Sequence, residues 1–316
     1  MFRRNFIPII ILFSIGLLLM NPRIVSDGVF SGIKIWGYNM VPYLLPMSIL
    51  SNMLLQYNFL YILSDKFSFV SKRIFDSKYA FIPLFISFVA GYPSGAMTVN
   101  SMAHYKRINE GEANSLIAFT NNCSFQFMAG AVSFSMLGNF MLSSYIIIPH
   151  LAGAFLTGIL LKNNEYKTPL KVYNSQKNVS FYNAFNSSIY KSVISILSVG
   201  GVIVIFSVFS NFFNSYLDII AIHFSINPLI NDIIHALMAG LLEITNGCSI
   251  ISASGVPLNI KLIIINFLIS FSGASIMFQT MAVVNDFNLN IGNYIFYKFI
   301  QGILSVLICI GMLIVI

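Results

Sequence analysis

Residues 81–103 read FIPLFISFVAGYPSGAMTVNSMA, an apolar run interrupted by two glycines and a proline. Pro93 cannot donate a backbone hydrogen bond, and Gly91 and Gly95 permit backbone angles that other residues avoid, so one straight helix is not expected. In a bilayer, broken backbone survives only where it is buried in protein or lines a wet cavity. Two structures meet this condition: a kinked spanning helix, or a re-entrant hairpin with its tip in a binding site, as in secondary transporters.

The composition is that of an integral membrane protein. Of the 316 residues, 57% are hydrophobic and 9% are charged, whereas an average soluble domain carries about 25% charged residues. So few charges cannot cover a water-exposed surface, which excludes a soluble enzyme. The net charge of +7 fits cytoplasmic loops facing anionic lipid and does not indicate nucleic-acid binding. The cysteines and histidines show no ligand or disulfide spacing, so we expect no metal and no cofactor.

The apolar segments predict one polytopic membrane domain over residues 1–316. An N-terminal helix at 5–21 precedes a first repeat at 34–161 and a second at 188–316, joined by a polar cytoplasmic linker at 162–187. Their apolar segments are expected at 34–60, 79–103, 113–137, 140–161, 188–214, 229–252, 261–283 and 292–316. The charged stretch at 61–78 is expected to be a surface-lying amphipathic segment or loop, and 215–228 an outer loop.

The loop charges favour the hairpin for residues 79–103. If this segment enters and leaves from the cytoplasm, then Lys106-Arg107, the 61–78 cluster and the linker lysines all lie inside, with Arg23 as the main exception. If it spans fully, Lys106-Arg107 falls on the side opposite the 61–78 cluster. By the same logic, residues 229–252 form a second hairpin that enters from outside.

Two short motifs recur in the same order in both halves. Ala90-Gly91 is echoed by Ala239-Gly240, and FQFMA at 125–129 is echoed by FQTMA at 278–282. Together with the loop charges, they predict an all-α integral membrane fold, an inverted repeat of helix, re-entrant hairpin, helix and helix. That gives about seven full spans and two hairpins, with nine full spans as the alternative. Inverted repeats are typical of alternating-access carriers, which hold the solute where the broken elements meet.

Polar residues inside the apolar segments predict a solute site near the bilayer midplane. Glu243 lies deep in such a segment, where an ionised carboxylate costs several kcal/mol unless it is paired or hydrated. It is the candidate for coupling to a proton or a sodium ion; the alternative is a protonated structural acid bonded to a backbone carbonyl. No lysine or arginine is expected at comparable depth, so helix N-termini and amides would meet an anionic solute.

The other candidates are amides and hydroxyls that supply donors and acceptors, with packing between helices as the alternative role of each. The residues expected to bind solute are Ser94, Asn121, Asn122, Gln126, Thr245, Asn246, Ser272, Ser275 and Gln279. The residues expected to break the hairpins are Gly91, Pro93, Gly95 and Gly247. No nucleophile with its base, phosphate-binding loop or metal cluster is recognisable, which predicts a protein that is not an enzyme. A scaffold is less favoured because it needs no row of buried amides.

Several motifs together resemble the sporulation integral membrane proteins of the YlbJ type, in the nucleoside-recognition or Gate domain group. They are GYPSGA at 91–96, Glu112-Ala113, Asn121-Asn122, GLLEITNG at 240–247 and SFSG at 270–273, and the resemblance covers about residues 30–310. Ser272-Gly273-Ala274-Ser275 stands where a glycine pair is expected, a small departure.

The resemblance implies a multi-pass protein of the cell membrane or outer forespore membrane in endospore-forming bacteria. Its function would be linked to spore maturation and to movement of dipicolinic acid, a pyridine dicarboxylate, toward the forespore. The group is also similar to concentrative nucleoside transporters, so a nucleoside or another small solute stays open as the substrate. A structural role in spore assembly is the alternative of another class, and a homo-oligomer is compatible with every reading.

Overall fold

The computed structural model describes residues 2–57, 59–162 and 180–314, and these residues are helical with no strand, as an all-α fold requires. The first half contains α1 (Phe2–Met20), α2 (Pro22–Lys34), α3 (Val41–Gln56), α4 (Phe59–Phe75), α5 (Phe81–Ala90), α6 (Ser94–His104), α7 (Glu110–Thr120) and α8 (Ser144–Leu160). The second half contains α9 (Phe181–His223), α10 (Pro228–Leu242), α11 (Ile244–Ala253), α12 (Leu258–Phe271), α13 (Gly273–Val283) and α14 (Ile291–Ile314). Wider π-helical turns at Ile35–Met40 and Phe127–Met136 follow α2 and α7.

Within the described residues, four helical segments are long and apolar enough to cross a membrane, which supports a membrane protein. They are Phe140–Leu160, Phe181–Leu217, Leu258–Val283 and Ile291–Ile314. A fifth is added if Ile11–Met20 and Pro22–Tyr38, bent by 101°, form one span. This count is lower than the seven full spans expected, because α3 and the helices on either side of the α7 break are individually too short to qualify.

Several helices extend beyond the segments expected from sequence. The helical run expected at 34–60 begins at Pro22, a first helical position that proline favours because its ring presets the backbone angle. α9 begins at Phe181, inside the expected linker, and continues to His223 through most of the expected 215–228 loop. The stretch at 61–78 is largely helical, as α4. Residues 163–179 of the expected linker lie outside the described residues.

The segments at 81–104 and 228–253 each contain two consecutive helices that pack against each other. We call α5 with α6 the first hairpin and α10 with α11 the second hairpin. Ser77, before the first hairpin, donates a 2.6 Å hydrogen bond to Glu112 Oε1, after it. At the second hairpin, a Cβ on Gly255 would lie 3.6 Å from the Leu229 side chain. The two ends of each hairpin therefore lie close together.

Two glycines expected at the hairpin breaks lie inside helices instead. Gly95 is in α6 and Gly247 is in α11, while the chain turns at residues 91–93 and at Glu243. Both glycines are needed for close approach. A Cβ at Gly95 would lie 2.5 Å from Thr120 O, and one at Gly247 would lie 2.4 Å from the Gly240 Cα.

The helix after each hairpin is interrupted near its middle. α7 ends at Thr120, residues 121–124 are not helical, and the helix resumes at Phe125. α12 ends at Phe271, and Ser272 adopts a left-handed backbone angle, with φ of 77°, before α13 begins. We call these interruptions the first break (121–124) and the second break (Ser272). In both halves, a hairpin is followed by a broken helix and then by one further helix.

The two hairpins start at opposite ends of the membrane-length segment Leu258–Val283. This segment begins three residues after Gly255, at the base of the second hairpin. It ends beside the base of the first hairpin, where Asn285 N donates to Asn100 Oδ1 at 3.1 Å and His104 Nδ1 lies 2.7 Å from Asp286 Oδ1.

Two buried apolar clusters surround the hairpins. One includes Ile86 and Phe119, from the first hairpin and α7, and the other includes Met128 and Ile265, from the first broken helix and α12. Since lipid tails are as apolar as these side chains, close van der Waals packing rather than exclusion of water holds such helices together.

Candidate functional site

Both hairpin tips and both breaks meet at the centre of the molecule. From the first tip, the Tyr92 hydroxyl donates to Ile269 O at 3.1 Å, close to the second break. Ala96 N, in the first turn of α6, donates to Asn121 Oδ1 at 3.3 Å, at the first break. The second tip is equally close, since a Cβ at Gly273 would lie 2.7 Å from Gly240 O. We call this meeting point the central crossing.

A small cavity of about 30 Å³ lies in the central crossing. Its polar lining includes Ser124, Glu243 and Gln279, and Tyr92 of the first tip also faces it. Apolar side chains complete the wall: Met40, Leu44, Phe127, Val199, Ile203, Ile244 and Ile276. Such a space holds one or two water molecules, whereas pockets for organic ligands measure about 300–1,000 Å³. The cavity therefore has no room for an organic ligand in this structure.

Asn121 ties the first break to three other elements. Besides accepting from Ala96 N, its amide nitrogen donates to Thr280 Oγ1 at 2.9 Å and to the Tyr294 hydroxyl at 3.0 Å. Thr280 belongs to α13 and Tyr294 to α14, and both are buried. Since a buried amide left unpaired is costly, this bonding fixes the first break in place.

Lys298 is a buried cation that the sequence analysis missed, and the expectation of no lysine at depth is wrong. Lys298 is fully buried on α14. Its Nζ donates to Asn121 O, to Gln301 Oε1 at 3.0 Å and to Asn122 Oδ1 at 3.4 Å. Lys298 comes seven residues after the start of α14. A lysine so near the end of a spanning helix is expected to extend its side chain to the membrane surface, which is why its burial was not predicted. The nearby Gln301, one helical turn on, was the available signal for a polar face on α14.

Asn122 completes the polar network around Lys298. Its Oδ1 accepts a 2.8 Å bond from Gln301 Nε2, and its Nδ2 donates to Phe119 O at 2.7 Å. The Lys298 Nζ also lies 5.5 Å from the centre of the Tyr92 ring, within the range of a cation–π interaction. Tyr92 therefore stands between the lysine network and the cavity that it lines.

Glu243 forms the N-cap of α11. Its Oε2 accepts a 2.9 Å bond from Asn246 N, and its Oε1 accepts a 3.1 Å bond from Thr245 Oγ1. Both contacts come from donors, which suits a carboxylate and differs from the expected alternative of a protonated acid bonded to a carbonyl. Asn246 Nδ2 in turn donates to Ser207 Oγ on α9 at 2.9 Å.

The second break and α13 bury polar groups with fewer partners. Ser272, Ser275 and Gln279 are all buried. Among the described residues, Ser275 Oγ and both amide atoms of Gln279 have no hydrogen-bond partner. Gln279 is 5% exposed and lines the cavity, so its amide faces a site that leaves its bonding capacity unused.

Of the nine predicted solute-binding residues, Gln279 lines the cavity and the other eight do not. Gln126 is exposed, although it is the sequence echo of Gln279. Ser94 is half-buried at the start of α6, where its carbonyl accepts from Thr98 Oγ1 at 2.8 Å. The predicted Gly91 and Pro93 do lie at the first tip. The central crossing thus brings together Asn121, Asn122, Glu243, Thr245, Asn246, Ser272, Ser275 and Gln279 and leaves Gln126 outside.

Comparison with known proteins agrees with the motif resemblance. The chain is 23% identical over 322 residues to the sporulation integral membrane protein YlbJ of Bacillus subtilis (strain 168). The alignment covers 92% of this chain and 78% of that protein. No family model matches the chain, and no solved structure matches it. The similarity confirms the resemblance to YlbJ-type proteins that the motifs predict.

Proposed function

We propose that this protein is a membrane carrier for a small anionic solute, moved by alternating access. The observation that carries the proposal is the convergence of both hairpin tips and both helix breaks on a buried polar centre. Irregular backbone at membrane depth is tolerated where it is enclosed by protein or lines a cavity. Carriers with inverted repeats bind their solutes where such broken elements meet. A scaffold protein has no need of this arrangement.

The chain path supports seven spans with two re-entrant hairpins over nine full spans. With nine spans, the loops on either side of the first hairpin would lie on opposite membrane faces, yet Ser77 bonds to Glu112. The loop after α13 would also lie across the membrane from His104, yet Asp286 contacts that residue.

Cysteine labelling tests this topology. Single cysteines at Lys72 and Lys106, in a background without native cysteines, should both react with an impermeant reagent from the cytoplasmic side. Reaction from opposite sides would contradict the hairpin.

Lys298 favours an anionic solute over a neutral nucleoside. The partners described for its Nζ are neutral oxygens of Asn121, Asn122 and Gln301. A charged group buried at membrane depth costs several kcal/mol unless an opposite charge or water compensates it. A solute carboxylate that displaces one of these neutral acceptors would supply that compensation. A shift of Tyr92, which lies between Lys298 and the cavity, would give it access.

Dipicolinic acid is the first solute to test. The relative YlbJ is by name a sporulation protein, and the family resemblance implies movement of dipicolinic acid toward the forespore. One carboxylate of dipicolinic acid could pair with Lys298 and the other could accept hydrogen bonds from neighbouring amides. A nucleoside has no negative charge to pair with Lys298. The site of action would then be the cell membrane, including the outer forespore membrane.

Uptake into proteoliposomes tests the carrier directly. We expect saturable uptake of radiolabelled dipicolinate, and loss of uptake with retained membrane abundance in Asn121→Ala, Asn122→Ala and Asn246→Ala variants. Uridine is the neutral comparison solute. Uptake of uridine without dipicolinate would favour the nucleoside carrier. Parallel loss of abundance and uptake in the three variants would favour packing roles, and no uptake of any solute would favour the structural protein.

A further inference from the structure

We infer that Glu243 and Gln279 form a binding site for one small monovalent cation, between the tip of the second hairpin and α13. The coupling role of that cation rests on the proposed carrier function, but its binding does not. Three independent features of the central crossing support the site: an amide without partners, a carboxylate without a cation, and a cavity of atomic size.

The Gln279 amide is the first feature. The side chain is 5% exposed, and neither its oxygen nor its nitrogen has a hydrogen-bond partner among the described residues. Burying an unsatisfied polar group costs about 1–3 kcal/mol. We therefore do not expect an unpaired amide on a buried helix unless the amide binds something. The fully bonded Asn121, one of its neighbours in the crossing, shows that this fold can satisfy a buried amide.

The Glu243 carboxylate is the second feature. It is 1% exposed, and its described contacts are with the neutral donors Asn246 N and Thr245 Oγ1. The ion pairs described in the structure, Lys78 with Asp65 and His104 with Asp286, lie elsewhere. Each carboxylate oxygen keeps further acceptor capacity, since two oxygens offer about four lone-pair positions. A bound cation would offset a charge that is otherwise buried without a counterion.

The size of the cavity is the third feature. Glu243, Gln279 and Ser124 line the same space of about 30 Å³, which is too small for an organic solute and large enough for one ion. Carboxylate, amide and hydroxyl oxygens are the ligands that hard cations take. A single carboxylate neutralises one positive charge, and no cluster of three or more His, Cys, Asp or Glu residues occurs in the described chain. A monovalent ion is therefore favoured over a divalent one.

Thermal unfolding of the purified protein tests the site without any solute. Sodium, lithium, potassium and choline chlorides are compared at constant ionic strength and pH. We expect a saturable rise of a few degrees in Tm with one of the alkali cations and none with choline, since a ligand that binds the folded state stabilises it. Glu243→Gln and Gln279→Leu should each abolish the rise. Gln126→Leu, at the exposed sequence echo of Gln279, and Glu112→Gln, outside the crossing, should keep it.

Two further measurements protect the test against variants that fail to fold. Glu243→Asp keeps the charge, so it should retain a weaker response at higher cation concentration, and ²²Na⁺ binding to wild-type protein should be competed by the effective ion. A Tm that depends on pH but on no cation would overturn the site and assign Glu243 a proton. An equal cation response in wild type and Gln279→Leu would also overturn it. Cation binding without uptake of any solute would contradict the carrier proposal alone, and uptake without cation binding would contradict this site alone.

Discussion

The two helix breaks occupy matching places in the two halves, yet their polar groups are bonded very differently. At the first break, Asn121 and Asn122 bond to neighbouring helices and to Lys298. Beside the second break, Ser275 and Gln279 are buried without described partners for their side chains. The polar groups at the first break are thus held by neighbouring helices, whereas those beside the second break keep unused bonding capacity.

The hairpin tips differ in what they bond to. At the first tip, Ala96 N bonds to Asn121 of the first break. At the second tip, Asn246 Nδ2 bonds to Ser207 on α9, while the described hydrogen bonds of the Glu243 side chain stay within its own helix. If this difference is functional, substitutions in the first half should mainly change stability, and substitutions in the second half should mainly change ligand response.

The largest effect is expected from Lys298→Met. It removes the donor that serves Asn121 O and Gln301 Oε1, and hydrogen bonds to a charged group contribute about 1.5–3 kcal/mol each. We expect a loss of several kcal/mol or a failure to accumulate, measured as membrane yield and thermal unfolding in detergent. Lys261→Met is the matched control, since Lys261 donates to two carbonyls at the base of the second hairpin. An equal loss of stability in both variants would show that the Lys298 hydrogen bonds at the first break contribute no more to stability than those of Lys261.

A smaller loss is expected from Gly95→Ala. The added Cβ would lie 2.5 Å from Thr120 O, so the first hairpin has to move away from the first break. Overpacking of this kind costs about 1–3 kcal/mol. Gly201→Ala, where a Cβ meets no atom within 4 Å, should leave stability unchanged. Unfolding midpoints of the two variants give the comparison, and an unchanged Gly95→Ala protein would show that the close contact is not required.

Effects of opposite sign are expected from Gln279→Leu and Asn121→Leu. Without ligand, Gln279→Leu should stabilise the protein by about 1–2 kcal/mol, because it removes a buried amide that has no described partner. Asn121→Leu should destabilise it by about 1–3 kcal/mol, because it leaves Ala96 N and other partners unpaired. Denaturation at matched pH and salt measures both. Two losses of similar size would mean that the two breaks do not differ in bonding.

The smallest effect is expected at the base of the first hairpin, from Glu112. Burial raises the pKa of this carboxyl, while the Ser77 hydroxyl bond opposes the rise. A raised pKa means that the folded state binds the proton more tightly, so the contribution of Glu112 to stability falls as pH rises above about 4.5. Unfolding measured between pH 4 and 7 should therefore show a shallower decline in Glu112→Gln than in wild type. The same pH dependence of stability in wild type and Glu112→Gln would show that Glu112 does not contribute to it.

Local sequence signals predicted the first chain turn, whereas long-range packing decides which residues meet at the site. The first turn follows from Gly91 and Pro93, whose backbone limits act without any partner. Lys298 was missed because its depth depends on where α14 begins and on which helices cover it. Gln126 was included as a polar side chain inside an apolar segment, yet it lies exposed beside a π-helical turn, unlike its sequence echo Gln279. A sequence match carries residue identity and not the direction in which a side chain points.

The segment Leu258–Val283 touches both hairpins. Its ends adjoin the two hairpin bases, and its middle, near Ile269 and Gly273, adjoins the two tips. If the protein is the carrier that we propose, a hairpin that moves at one face of the membrane must either shift Leu258–Val283 or lose contact with it, and both changes alter the packing of the other hairpin. Only one hairpin could then be displaced at a time, so no continuous path for ions would cross the bilayer during transport.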